Sequence, residues 1–155
     1  MISPSIPVVN MDRISRQYRL GEADILALKN ITLDILCGDF MVIAGPSGSG
    51  KTTLLNLIGL IDKPTSGQVL VSGEDTTPKS LNSLFRHRRD KIGYIFQTFN
   101  LIPVLNVYEN IEYPLILKGV SASQRREKVE QAMDKVGLAD RRKHKPRELS
   151  GGDCW

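Results

Sequence analysis

One stretch decides how this sequence folds: Gly45-Pro46-Ser47-Gly48-Ser49-Gly50-Lys51-Thr52. It matches the pattern G-x-x-x-x-G-K-[ST], in which glycines let the backbone curl so that successive N–H groups surround a phosphate. A helix predicted to start near Lys51 adds the positive end of its dipole to the same anion. The stretch therefore predicts a nucleotide phosphate site, with Lys51 at the β- and γ-phosphates and the Thr52 hydroxyl on Mg²⁺.

The residues on either side have the character that such a loop needs. Phe40–Ala44 is a short, continuous apolar run, which predicts a strand buried on both faces. Thr53–Ile61 has apolar residues at helical spacing and predicts a helix. The alternative is a coincidental turn rich in glycine and serine. The order strand, loop, helix favours phosphate binding over that alternative.

Further from the loop, the sequence changes from strands to helices. The patterns predict strands at Val8–Ile14, Leu26–Leu28, Ile31–Ile35, Gln68–Val71 and Ile92–Phe96, and a polar helix at Ser80–Lys91. After Gln97, two capping-box sequences predict helix starts, at Asn106–Glu109 and at Ser121–Gln124. The second helix has Val129, Ala132, Met133 and Val136 on one face and is predicted to end at Gly137. This order predicts an α/β core with a helical appendage.

Composition excludes several classes of protein. The chain has 155 residues, 41% of them apolar and 25% charged, which is typical of one globular domain and not of a disordered or fibrous chain. Its apolar runs are too short to span a bilayer, and its first ten residues do not resemble a secretory signal. Cys37 and Cys154 show neither a disulfide framework nor metal-ligand spacing. We expect a soluble, cytosolic domain.

The net charge of +4 is unevenly distributed along the chain. Residues 1–117 hold eleven basic and eleven acidic residues, and residues 118–155 hold ten and six. A basic tail of this kind is one signature of nucleic-acid binding. Here acidic residues are interleaved with the basic ones and no aromatic residue lies among them, which favours the solvated face of a helix. We expect no nucleic-acid partner.

Three further features are weak individually. Tyr18 ends an early strand, where its ring could stack on a purine or simply pack. Gln97 follows the predicted strand Ile92–Phe96, and Leu149-Ser150-Gly151-Gly152 follows a basic helical stretch. A glutamine at a strand end and a Ser-Gly-Gly loop are also common without any function in binding.

Together and in this order, these features resemble the nucleotide-binding domain of ATP-binding cassette (ABC) transporters. The resemblance is closest to the macrolide-export and lipoprotein-release branch (MacB/LolD-like) and covers Val8 to Gly152. The residues that carry it are Gly45–Asn56, Leu60–Gly67, Ile92–Pro103, Glu109-Asn110, Pro114-Leu115, Val136–Leu138 and His144–Gly152.

The resemblance implies a fold and a set of site residues. The expected fold is an α/β P-loop NTPase (RecA-like) core with an antiparallel β subdomain and a helical subdomain. Residues 1–96 would hold the β subdomain and the first part of the core, and residues 97–155 the Q-loop and the helical subdomain. Expected ligands are ATP and Mg²⁺. The nucleotide would contact Tyr18, Gly45, Pro46, Ser47, Gly48, Ser49, Gly50, Lys51, Thr52, Thr53, Gln97, Ser150, Gly151 and Gly152.

The family also implies roles and partners. Mg²⁺ would lie on Thr52 and Gln97, and the residues of the catalytic step would be Lys51, Gln97 and Ser150. Ser150 would act on the ATP of a second such domain, since two domains sandwich the nucleotide head to tail. The apolar loop 98–106 would contact an integral-membrane permease, so the domain would lie on the cytoplasmic face of the membrane. The alternative is a nucleotide-binding module without transport, such as a soluble ABC protein or an inactive regulatory copy.

The sequence departs from the family pattern at one end. Asp153 stands where the LSGGQ signature ends in Gln, and Trp155 is reached before any Walker B strand, catalytic glutamate or switch histidine. From the resemblance we expect that the C-terminal part of the fold is missing, and that this polypeptide alone is poorly stable and does not turn over ATP. Part of Phe40–Ala44 and of Ile92–Phe96 would then be unpaired and exposed.

Overall fold

Long strands in the first part of the chain form an antiparallel sheet. In the computed structural model, which describes residues 6–154, β1 (Val9–Leu20) and β2 (Ala23–Ile35) pair as a hairpin. The other edge of β1 pairs with β3 (Ser66–Val71), and β3 pairs with the short β4 (Glu74–Asp75). The strand order is therefore β2-β1-β3-β4. The predicted strands in these regions exist, and β1 and β2 are longer than their sequence patterns indicate.

β1 runs past the predicted end at Ile14 because it contains a bulge. Met11 and Ile14 are both fully buried although they are three residues apart, and the pairing with β2 shifts register between them. Arg13, inside the shift, has a φ of 47°, a left-handed conformation that fits an extra residue in the strand. Because of the extra residue, Ile14 faces the interior again although it is three positions after Met11, and the strand continues to Leu20.

Two short helices complete this part of the chain. α1 (Lys51–Ile58) starts directly after the glycine-rich loop, as the sequence predicts, and ends three residues earlier than predicted. It ends there because Gly59 caps it and Leu60 takes a φ of 58°, which no helix continues through. α2 (Phe85–Lys91) is the second half of the predicted helix at Ser80–Lys91, and the first half is turns.

The chain divides into two units within α2, one ending at Arg88 and one beginning at Arg89. The second unit contains α3 (Val107–Leu117), α4 (Ala122–Lys135) and three single turns of 3₁₀ helix. Val107, Val129 and Met133 are its buried centre, and α3 packs on α4 there. The boundary that we predict between residues 96 and 97 separates the subdomains of the family, which the division into two units does not test. It stays a prediction.

The two predicted capping boxes have different outcomes. The first is confirmed: the Glu109 amide donates to Asn106 Oδ1 (2.9 Å) and the Asn106 amide donates to Glu109 Oε2 (2.8 Å). The second is wrong, because Ser121 precedes α4 without a side-chain hydrogen bond to the backbone, and its hydroxyl lies 3.4 Å from the Ser123 hydroxyl instead.

The predicted buried strands Phe40–Ala44 and Ile92–Phe96 are also wrong. Neither run pairs with a strand within residues 6–154, and the Phe40 and Ile95 side chains are 94% and 89% exposed. An apolar run becomes a buried strand only when neighbouring strands take its backbone hydrogen bonds and other layers cover its faces. The exposure agrees with the expectation, drawn from the resemblance, that these two runs would be unpaired.

Between residues 6 and 154, no helix is both long enough and apolar enough to cross a membrane. Both cysteines are free, Cys37 exposed and Cys154 partly exposed.

Candidate nucleotide-binding site

The glycine-rich loop has the backbone conformations that its sequence predicts. Gly45, Gly48 and Gly50 have φ values of 158°, 80° and 87°. Gly50 is the residue before α1, and a Cβ atom there would lie 2.6 Å from the Ala27 carbonyl oxygen and 2.9 Å from Leu28 Cδ2. Both the left-handed φ and the contact with β2 therefore require glycine at this position.

The Lys51 side chain closes the loop. Its ammonium donates to the carbonyl oxygens of Gly45 (2.8 Å) and Pro46 (2.7 Å), so the start and the end of the loop meet at one positive charge. These carbonyls are neutral acceptors, and a phosphate oxygen is a stronger one because it is charged. The ammonium is thus held at the mouth of the loop, where an incoming phosphate group would exchange with the carbonyls.

The N-terminus of α1 faces a groove that suits an anion. The groove has a volume of about 320 Å³ and is lined by Ser47–Thr53 of the loop and helix and by Ile25, Leu26 and Ala27 of β2. Gly50 has no side chain to cap the helix, and the first turn of α1 has no acidic residue. Its first amides therefore have no intrahelical partners, and no acidic side chain lines the groove within the described part of the chain.

Tyr18 lies beside this groove on the neighbouring strand. It pairs across the hairpin with Ile25, which lines the groove, although Tyr18 itself does not. The Tyr18 hydroxyl donates to Asp62 Oδ2 (2.8 Å), and the Arg16 guanidinium lies over the Tyr18 ring at 4.4 Å from its centroid. Stacking of Tyr18 on a purine stays a prediction, and the structure adds two partners of this residue that the sequence does not indicate.

Gln97 lies in the second unit, exposed, in the bend that follows Phe96. The loop after it is held by Asn110 of α3: the side-chain oxygen accepts from the Ile102 amide (2.8 Å), and the side-chain nitrogen donates to three carbonyl oxygens, those of Ile102, Leu105 and Asn106. The Phe99 and Val104 side chains of this loop are exposed. The structure thus shows a fixed loop with apolar side chains on its surface.

Ser150 also lies in the second unit, and its hydroxyl is engaged. The Ser150 amide and hydroxyl both donate to Asp153 Oδ2, each at 2.8 Å. These two bonds hold the pKa of the Asp153 carboxyl below its ordinary value. Gly151 forms a turn and Gly152 begins a single 3₁₀ turn of three residues, Gly152–Cys154. A role of Ser150 and the two glycines in binding phosphate stays a prediction.

Sequence reasoning missed several residues around the site. Arg16 has a detectable signal, since it lies two positions before Tyr18 on one strand and therefore on the same face. No sequence pattern indicates Asp62, because it contacts Tyr18 from a turn 44 positions further along the chain. Ile25, Leu26 and Ala27 look like an ordinary strand segment, and only the packing of α1 against β2 brings them to the groove.

A glycine loop closed by a lysine at the start of a helix defines a class of protein, the P-loop nucleotide-binding domains. The family model described as "ABC transporter" matches residues 28–154. The chain therefore belongs to the ABC transporter family, and it has the P-loop fold of that family's ATP-binding cassettes.

Two curated relatives illustrate the relationship. The chain is 43% identical over 145 residues to the ABC transporter ATP-binding protein YknY of Bacillus subtilis, covering 94% of this chain and 63% of YknY. It is 40% identical over 146 residues to the macrolide export ATP-binding/permease protein MacB of Burkholderia pseudomallei, covering 94% of this chain and 22% of MacB. The chain thus spans less than two thirds of the length of either relative.

A solved structure is similar to this chain in both sequence and fold. The ATP-binding cassette MJ0796 of Methanocaldococcus jannaschii, described as a dimer in a post-hydrolysis state bound to ADP and Pi, superposes with a TM-score of 0.86 at 44% identity. The superposition covers 94% of this chain and 65% of that one. The predicted family and fold class are confirmed by these comparisons.

Proposed function

We propose that this chain binds ATP in the groove between the glycine-rich loop and β2. The observation that carries the proposal is the Lys51 ammonium, held at 2.7–2.8 Å from two loop carbonyls at the N-terminus of a helix that no side chain caps. The Lys51 ammonium and the positive end of a helix converge there on a groove that no acidic side chain lines within residues 6–154. Family membership and the ADP and Pi bound to MJ0796 support a nucleoside triphosphate as the ligand.

Mg²⁺ is part of this proposal. Thr52 lines the groove, and its hydroxyl is the ligand we assign to the ion. Gln97 is the further ligand that the family pattern implies. Within residues 6–154, no group of three or more His, Cys, Asp or Glu side chains is arranged to hold a metal ion. Mg²⁺ usually takes most of its ligands from phosphates and water, so one or two oxygen ligands from the protein are sufficient for it. The ion would supply charge neutralisation at the β- and γ-phosphates.

The remaining roles follow the family. We assign Tyr18 to the base, Gly45–Thr53 to the phosphates, and Lys51, Gln97 and Ser150 to the hydrolytic step, with Ser150, Gly151 and Gly152 contacting the nucleotide of a second copy. The protein would then be the ATP-binding subunit of an exporter. Its residues 1–96 would hold the nucleotide, and its residues 97–155 would make the contact with a permease. The name of MacB, which joins ATP-binding and permease functions, and the dimeric state of MJ0796 support these assignments.

The same assignments place the protein at the cytoplasmic side of a membrane. The exposed Phe99 and Val104 on the loop fixed by Asn110 are the surface we propose for the permease.

A competition experiment tests the proposed ligand. A fluorescent N-methylanthraniloyl derivative of ATP is bound to the chain in the presence of Mg²⁺, and unlabelled compounds are then added. We expect ATP and inorganic tripolyphosphate to displace it and adenosine to require at least about 100-fold higher concentration, because charged phosphate contacts dominate the binding free energy. If adenosine displaces the derivative as well as ATP does, or if the derivative does not bind, the proposed site is wrong.

A further inference from the structure

Two other residues hold the Tyr18 side chain, Asp62 at its hydroxyl and Arg16 at one face of its ring, and these two residues also pair with each other. Asp62 Oδ2 accepts a hydrogen bond from the Tyr18 hydroxyl (2.8 Å), and Asp62 Oδ1 forms an ion pair with the Arg16 guanidinium (2.8 Å). The same guanidinium covers one face of the ring at 4.4 Å from the centroid. The Arg16 and Asp62 side chains are only 22% and 19% exposed, so this pair is screened by water far less than a surface ion pair.

Asp62 is in turn fixed to the helix that begins at the phosphate loop. The Asp62 amide donates to the Asn56 carbonyl in the last turns of α1 (3.2 Å), and Asp62 Oδ1 also accepts from the Lys63 amide (2.7 Å). α1 starts at Lys51, at the other end of the same eight-residue helix. Asp62 therefore links the strand that carries Tyr18 to the helix whose first turn lines the groove.

These contacts restrict how Tyr18 can meet a base. One face of the ring is occupied by Arg16, and the hydroxyl proton is used by Asp62. Neither Arg16 nor Asp62 contacts the opposite face of the ring, and a base stacked there would receive no hydrogen bond from the tyrosine. A cation on one face and a base on the other is a favourable arrangement for an aromatic ring, because each contact uses a separate face of the π system.

We infer that Asp62 is a positioning residue for base binding: with Arg16, it holds the Tyr18 ring so that the base of the bound nucleotide stacks on the face that Arg16 leaves free. The inference rests on the proposed ATP site and adds to it the two residues that hold Tyr18 in place for stacking. The bond between Asp62 and α1 comes from the Asp62 amide, which a side-chain substitution keeps, so the effect of losing the carboxylate is expected only for ligands that contain a base.

The test compares ATP with inorganic tripolyphosphate, which has the phosphates and no base. Asp62→Ala is expected to weaken ATP roughly 5- to 20-fold, the lower part of the range for stacking of a base on an aromatic side chain, and to leave tripolyphosphate unchanged. Asp12→Ala is the matched control: it removes a carboxylate paired with an arginine on the same strand, at an exposed position. Both affinities of that variant are expected to equal those of the unchanged chain.

Tyr18→Phe is the second variant, since it breaks the same hydrogen bond without creating a cavity. We expect it to weaken the binding of ATP and not that of tripolyphosphate. Combined with Asp62→Ala it is expected to add little, because Asp62→Ala already removes the hydrogen bond that Tyr18→Phe breaks. Equal ATP affinity in Asp62→Ala and the unchanged chain would overturn the inference and leave the ATP site intact. A parallel loss of tripolyphosphate would also overturn it, by showing a general structural role. If the unchanged chain binds neither ligand, the proposed function itself is overturned.

Discussion

Lys51→Ala is expected to weaken ATP binding by roughly 30- to 150-fold, the equivalent of about 2–3 kcal/mol for charge-assisted hydrogen bonds. The ammonium donates to the Gly45 and Pro46 carbonyls and is the cation we assign to the β- and γ-phosphates. Alanine removes the charge and leaves the backbone and the helix N-terminus in place. Titration with the fluorescent ATP derivative measures the change directly.

The control for this prediction is Lys29→Ala, which removes the same charge from an exposed position on β2. It is expected to change the ATP affinity less than about twofold, since an exposed charge outside the groove is screened by salt. If the two variants lose affinity equally, the effect comes from net charge and the specific role of Lys51 is contradicted.

Gly50→Ala is expected to abolish nucleotide binding and to lower the free energy of unfolding of the first unit by about 2–4 kcal/mol. The added Cβ would meet the Ala27 carbonyl oxygen at 2.6 Å and Leu28 Cδ2 at 2.9 Å, and alanine at a φ of 87° is strained. The carbonyl belongs to β2 in the sheet and cannot move independently. α1 must therefore shift away from β2, and the groove between them changes shape.

Gly21→Ala is the control that separates backbone strain from the steric clash of a new Cβ with β2. Gly21 lies in the β1–β2 turn with a φ of 62°, and a Cβ there meets no atom within 4 Å. This variant is expected to lose about 1 kcal/mol of stability and to keep its ATP affinity. Thermal unfolding and fluorescent titration of the two variants give both quantities. Full ATP affinity in a folded Gly50→Ala variant would contradict the role assigned to the contact with β2.

Local chemistry explains why the conformation of the glycine-rich loop and the start of α1 were predictable from the sequence. The loop conformations, the helix start at Lys51 and the capping box at Asn106 each depend on residues within a few positions of one another. The combination of the loop with Tyr18, Gln97 and the Ser150 region was sufficient to identify the family, which the comparisons confirm. The extent of β1 was less predictable, because the bulge at Arg13 changes which residues face inward.

Two features that escaped prediction depend on contacts between distant parts of the chain, and a third is local. Whether Phe40–Ala44 forms a strand is decided by the strands beside it, and its own apolar pattern does not reveal them. Asp62 reaches Tyr18 through the fold, from a turn whose sequence resembles any polar connection. The contact of Asp153 with Ser150 is local, and an N-cap serine followed three residues later by a carboxylate was its available signal.

The most direct test of the ATP site is a map of backbone amides by nuclear magnetic resonance. Spectra of ¹⁵N-labelled chain are recorded during titration with ATP and Mg²⁺. We predict that the largest shifts within the first unit occur at the amides of Gly48, Gly50, Lys51 and Thr52, since these groups line the groove and lie nearest to the phosphates. Shifts confined to other parts of the chain, or no shifts at saturating ATP, would contradict the account.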